Sequence, residues 1–115
     1  MTNQEAFTTV KTHLLAQMEK SVEKDEYQND YCVYRSKCGC LKCAIGALIP
    51  DNLYDPAMES KSVDDLINDF PGIRKLFHGV KTSLLNDLQV LHDDKSPANW
   101  ESELRGVASH YNLKF

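Results

Sequence analysis

Apolar residues recur along this chain at helical spacing, and each run is bounded by recognisable start and stop residues. Phe7, Val10, Leu14, Met18 and Val22 lie three or four apart, which predicts one amphipathic helix beginning near residue 3. Thr2 and Glu5 stand where a capping box needs them, each satisfying an amide that the first turn leaves free. Ser62-Val63-Asp64-Asp65 opens a second helix with an N-cap and two acids at the positive end of the dipole. Leu66, Ile67 and Phe70 form its inner face, and Pro71-Gly72 ends it. A brief helical segment follows at Ile73, Leu76 and Phe77, closed by Gly79. Val80, Leu84, Leu88 and Leu91 then mark a longer helix. Ser96-Pro97 starts the last one as N-cap and N1, with Trp100, Leu104, Val107, Ala108 and Tyr111 on one face. Asn112 followed by Leu113 predicts a left-handed cap with its hydrophobic contact.

Between these runs the pattern changes. Gln28-Asn29-Asp30 reads as a loop, and Tyr31-Cys32-Val33-Tyr34 as a short extended piece without an evident partner strand. Cys43 to Ile49 is the most apolar stretch and predicts a short buried helix ending before Pro50, because a residue preceding proline is pushed out of the helical region. Gly46 at its centre points to a close helix–helix contact. The expectation is a mostly α protein: one helical domain over residues 1–115, with five or six helices and a minimal β element near residues 31–34.

Composition narrows the function by exclusion. With 42% hydrophobic and 26% charged residues the chain is an ordinary globular sequence. No apolar run approaches the roughly 20 residues of a membrane span, and the first residues lack the basic and apolar parts of a secretion signal, so a soluble cytoplasmic protein is expected. A net charge of −4 argues against direct binding to a phosphate backbone. Six acids, Asp51, Asp55, Glu59, Asp64, Asp65 and Asp69, stand against Lys61 alone in one stretch, either as a solvated face or as an acidic docking surface. Arg35, Lys37 and Lys42 make a small basic loop.

All four cysteines, Cys32, Cys38, Cys40 and Cys43, fall within twelve residues. Four thiolates on a tight loop can close a tetrahedral zinc site, and the Cys40–Cys43 spacing suits a ligand pair, whereas the five residues between Cys32 and Cys38 do not. The alternative packs Cys32 and Cys43 as small hydrophobes and leaves Cys38 and Cys40 on an exposed loop. A disulfide is not expected in a reducing compartment. A cysteine-dependent enzyme would pair Cys43 with His92 and Asp93. Adjacent helical residues face different directions, however, so Asp93 is not expected to orient His92. No phosphate-binding glycine loop, dinucleotide fingerprint or nucleophile elbow is present. No cofactor other than zinc is suggested.

Cys32-Val33-Tyr34-Arg35, the run Lys42 to Asp51, Tyr54 to Glu59, Leu88-Gln89-x-x-His92-Asp93, Trp100 and Leu104-x-x-Val107-Ala108 together resemble a family of small phage and prophage proteins. The resemblance spans nearly the whole chain and implies a phage origin without an assigned activity. Such relatives usually carry a glycine-containing polar turn where this chain has Cys38-Gly39-Cys40, which makes a family-wide four-cysteine site unexpected. The function expected is therefore a non-catalytic accessory protein that binds a host or phage protein. A zinc-binding module is the alternative, and a cysteine-dependent enzyme the remaining one.

Overall fold

The computed structural model, which describes all 115 residues, contains five α-helices, a short, largely exposed hairpin and a buried turn. Helix α1 (Asn3–Gln17) begins with the predicted capping box and buries Ala6, Phe7, Val10 and Leu14. It stops earlier than the apolar spacing predicts. Met18 takes a left-handed conformation (φ 50°), ends the helix and is half exposed, while Val22 belongs to a strand. That strand, β1 (Val22–Lys24), supplies the partner missing from the sequence reading of residues 31–34. It pairs antiparallel with β2 (Asp30–Cys32), setting Val22 opposite Cys32 and Lys24 opposite Asp30. Beyond β2 the chain stays extended between two neighbours. Val33 N–H donates to the Ser21 carbonyl, and Cys43 N–H to that of Tyr34.

The Cys43–Ile49 stretch forms a turn and a single 3-10 turn at Gly46–Leu48 rather than a full helix. At Gly46 a methyl group would overlap the Tyr34 carbonyl oxygen. The segment is thus pinned against extended backbone along its inner side. Helix α2 (Val63–Asp69) is capped by Ser62, whose hydroxyl accepts from Asp65 N–H. Pro71 stands at the first position of helix α3 (Pro71–Leu76), so it separates two helices by starting the second. Helix α4 (Thr82–Asp94) buries Leu84, Leu85, Leu88, Leu91 and His92. A 3-10 turn at Pro97–Asn99 leads into helix α5 (Trp100–His110), and Asn112 (φ 54°) closes it in the left-handed conformation read from the sequence.

Helices α1, α4 and α5 pack mutually, and α2 lies against α4. Trp100, Phe7, Leu14, Leu84, Leu88 and Leu104 form the centre, each fully buried. Both ends of the chain are tied down: Gln4 exchanges two hydrogen bonds with the backbone of Lys114, and the Met1 amine donates to the His78 carbonyl. No helix is long and apolar enough to cross a membrane.

Candidate functional site

The polar chemistry gathers where the hairpin meets the end of α4. His92 is fully buried and stacks on Trp100, ring centroids 5.6 Å apart. Its Nε2 accepts from Ser21 N–H at 3.0 Å, so the ring proton sits on Nδ1 and is donated to the Asp93 carboxylate at 2.7 Å. This corrects the expectation that Asp93 cannot orient His92. Nδ1 is the ring nitrogen nearest the backbone, and at that short reach the next residue's carboxylate can meet it. The same Asp93 oxygen accepts from Gln89 Nε2 at 2.9 Å, and the Asp93 carbonyl accepts from Lys20 Nζ at 2.9 Å. The Cys32 thiol also donates to the Asp93 carboxylate; burial, then that bond and the carboxylate's charge, push its pKa up to about 12.

Cys32, His92 and Asp93 place a sulfur, a nitrogen and an oxygen within 4.8 Å of one another, in the manner of a metal centre or a Cys–His–Asp triad. Proton placement opposes both uses. A nucleophile must be thiolate, and burial with the Asp93 carboxylate beside it keeps the Cys32 thiol protonated at neutral pH. The one unprotonated ring nitrogen faces a backbone N–H, and turning it away would leave Ser21 N–H buried without a partner. The cluster therefore fastens residues 20–21 and β2 to α4.

The four cysteines do not come together as a zinc set. Cys43 is buried, its sulfur accepts from Gly46 N–H at 3.3 Å, and burial drives its pKa up to about 12. It has no free histidine base, since both His92 nitrogens are engaged elsewhere. Cys38 and Cys40 sit on the exposed hairpin tip between Arg35 and Lys42, bonded to each other as a disulfide. The sequence reading did not expect a disulfide, on compartment alone. The local turn, with Gly39 at φ +74°, is what brings these two sulfurs together.

The six acids do not form one free face either. Asp51 pairs with Arg35 at 2.8 Å, Asp55 caps the turn at Ala57 N–H, and Asp69 pairs with Lys61 at 3.4 Å. Glu59 is an internal clamp. One carboxylate oxygen accepts from Tyr34 N–H at 2.9 Å, the other from Arg35 N–H at 3.1 Å and Tyr54 O–H at 2.7 Å. Arg35 completes this knot by stacking over Tyr54 and donating to the Ile49 carbonyl. Asp64 and Asp65 alone remain exposed without an ion pair or a capping role for their side chains.

Beside the knot lies an open groove of about 520 Å³, with Tyr31, Tyr54 and Pro56 on its apolar side and Glu23, Arg35 and Lys37 on its polar side. A smaller cleft of about 230 Å³ runs past Cys32 and Asp93 to Lys61 and Val90. Large apolar side chains remain exposed: Tyr31 (42%) lines the groove, Val90 (51%) lines the cleft, and Tyr27 (77%) stands in the turn between β1 and β2. Comparisons with protein-family models, curated proteins and solved structures found no match. Sequence reasoning missed Ser21 and Lys20, whose roles lie in backbone contacts that residue type does not signal, and it named Gln89 only as part of a motif, without its contact to Asp93.

Proposed function

We propose that this chain is a small accessory protein of phage or prophage type that acts by binding a host or phage protein and performs no catalysis of its own. One observation carries the reading: the groups with catalytic chemistry are engaged within the fold. His92 uses both ring nitrogens, Cys32 and Cys43 hold their protons, and Glu59 accepts three internal bonds. The side chains left free to meet a partner are apolar and aromatic, Tyr27, Tyr31 and Val90 above all, with Asp64 and Asp65 as the available acids. Exposed tyrosines beside a groove suit protein recognition, since they bring large contact area at low entropic cost. The phage affiliation rests on the resemblance carried by the motifs between Cys32 and Ala108.

The test is quantitative affinity capture from infected and uninfected bacterial lysates, comparing the wild type with Tyr27→Ala/Tyr31→Ala and with Asp64→Lys/Asp65→Lys. The expected result is a protein enriched by the wild type and lost with at least one pair, while both variants keep the wild-type melting temperature. Identical profiles for all three proteins would defeat the assignment of these surfaces. Hydrolase or transferase activity abolished by Cys32→Ala or His92→Gln, in variants that remain folded, would defeat the non-catalytic reading.

A further inference from the structure

The Cys38–Cys40 pair belongs to neither the Cys32 cluster nor the Glu59 knot, and its surroundings are built around sulfur. Residues 36–41 form a tight loop closed by Ser36 N–H to the Leu41 carbonyl at 3.0 Å and Gly39 N–H to the Ser36 carbonyl at 2.8 Å. Both cysteines are exposed, as are Lys37 and Gly39 beside them, so an incoming sulfur can reach the pair from solvent. Ser36 is buried beneath them. Its oxygen accepts from Leu41 N–H at 3.0 Å, which leaves the hydroxyl proton for sulfur: Cys38 Sγ lies at 3.3 Å and Cys40 Sγ at 3.8 Å. Cys40 N–H donates to Cys38 Sγ as well, at 3.3 Å. Lys37 and Lys42 flank the loop, and neither ammonium is in an ion pair.

We infer that Cys38–Cys40 is a thiol–disulfide exchange site for low-molecular-weight thiols, with Cys38 as the leaving sulfur. The two donors on Cys38 Sγ stabilise negative charge there, and the better-stabilised thiolate leaves faster. A thiolate of glutathione type attacks Cys40 Sγ, forming a mixed disulfide at Cys40 as the Cys38–Cys40 bond breaks and Cys38 departs as thiolate. A second thiolate attacks the glutathione sulfur of that mixed disulfide, releasing the oxidised small disulfide and the Cys40 thiolate. Two small thiols are oxidised, the protein disulfide gains two electrons, and each protein thiolate takes a proton from water. Oxidised glutathione drives the reverse. The loop also borders the groove at Ser36, Lys37 and Gly39, so opening the disulfide frees one rim of it. The exchange chemistry does not depend on the function proposed above.

The experiment equilibrates the native wild-type protein in mixtures from fully reduced to fully oxidised glutathione, quenches with acid, alkylates, and reads each cysteine by peptide mass. The expected result is a single transition of Cys38 and Cys40 together, from two alkylated thiols to none, within the range of mixtures. Ser36→Ala should reduce about three- to tenfold more slowly, as loss of one hydrogen bond to the leaving sulfur implies. A pair that stays oxidised, or stays reduced, in every mixture would overturn the inference, as would separate glutathione adducts accumulating on both cysteines. The wild-type titration decides the matter even where Ser36→Ala fails to fold, because Ser36 also holds Leu41.

Discussion

Replacing Glu59 with alanine isolates the strongest disagreement between a surface reading and a structural reading of one residue. As part of an acidic docking face, Glu59 could be lost with little effect on stability, since surface changes usually stay within about 0.5 kcal/mol. As the clamp seen here it holds three donors: Tyr34 N–H, Arg35 N–H and Tyr54 O–H. Each of the two amides is stranded in the variant, at about 1–1.5 kcal/mol apiece after allowance for partial solvent access, and the phenol, which can turn to water, adds about 0.5. The total is about 3 kcal/mol. At about 2.1 cal/mol/K of unfolding entropy per residue, a chain of 115 residues loses about 4 °C per kcal/mol, so the melting temperature should fall by about 12 °C. Glu59→Gln should fall between the two, because its single oxygen serves one amide while its NH₂ opposes the other. Calorimetry measures the shift, and an absorbance titration adds a second readout. Burial first, then the Glu59 hydrogen bond and charge, push the Tyr54 phenol up to about 12, and removing the carboxylate should bring it down toward 10. A Glu59→Ala melting temperature within about 2 °C of wild type would refute the clamp and return Glu59 to the free surface acids.

Gly46→Ala should destabilise by more than about 3 kcal/mol or prevent folding, since the new methyl meets backbone rather than a movable side chain; urea midpoint and soluble yield report it. His92→Ala removes a fully buried ring stacked on Trp100 and strands Ser21 N–H, for an expected loss of about 3–5 kcal/mol in urea unfolding. Alkaline pH should weaken the fold. The Cys43 thiol is raised from 9.0 to about 12 by burial, so between those values the unfolded chain releases a proton that the folded chain keeps, and stability falls by up to about 1.4 kcal/mol per pH unit. That slope should shrink in Cys43→Ala. Treatment of zinc-supplemented protein with a chelator should leave the melting temperature unchanged, because the four sulfurs are dispersed; a drop of several degrees would revive the zinc module.

The groove and the buried cluster lie at opposite margins of one extended segment, residues 31–35, and this segment is the organising feature of the polar architecture. Its outer flank carries Tyr31 and Arg35 toward the groove, while Cys32 reaches back to Asp93. Ser21, Cys43 and Glu59 all hydrogen-bond to its backbone. A partner that seats on Tyr31 therefore presses on a strand fastened from three directions, which presents a rigid face to binding.

Helix starts were legible because capping is local. Thr2 with Glu5 and Ser62 with Asp65 act within a few residues and stand in the structure as the sequence implies. Ser96, by contrast, makes no side-chain cap and Pro97 opens a 3-10 turn, so α5 begins only at Trp100. Helix ends were less so. Met18 adopts a left-handed conformation without being glycine or asparagine, so the boundary of α1 and the existence of β1 had no local signal. The site was legible in its members and not in its arrangement: Cys32, Cys43, Glu59, His92 and Asp93 are all visible as reactive residue types. What a side chain does depends on which donor faces it. Ser21 N–H sets the tautomer of His92 from a segment seventy-one residues away, and Tyr34 N–H turns Glu59 inward across twenty-five.

By itself, then, the sequence determined the helical class, the capped starts of α1 and α2 and most of the residues that fill the helices' inner faces, because periodicity and capping are short-range physics. Tertiary structure alone decided that Gly46 meets backbone, that the acids of residues 51–69 are largely engaged in pairs and caps, and that the four cysteines serve three separate environments. Those outcomes depend on long-range placement of single donors and acceptors, and no spacing along the chain encodes them.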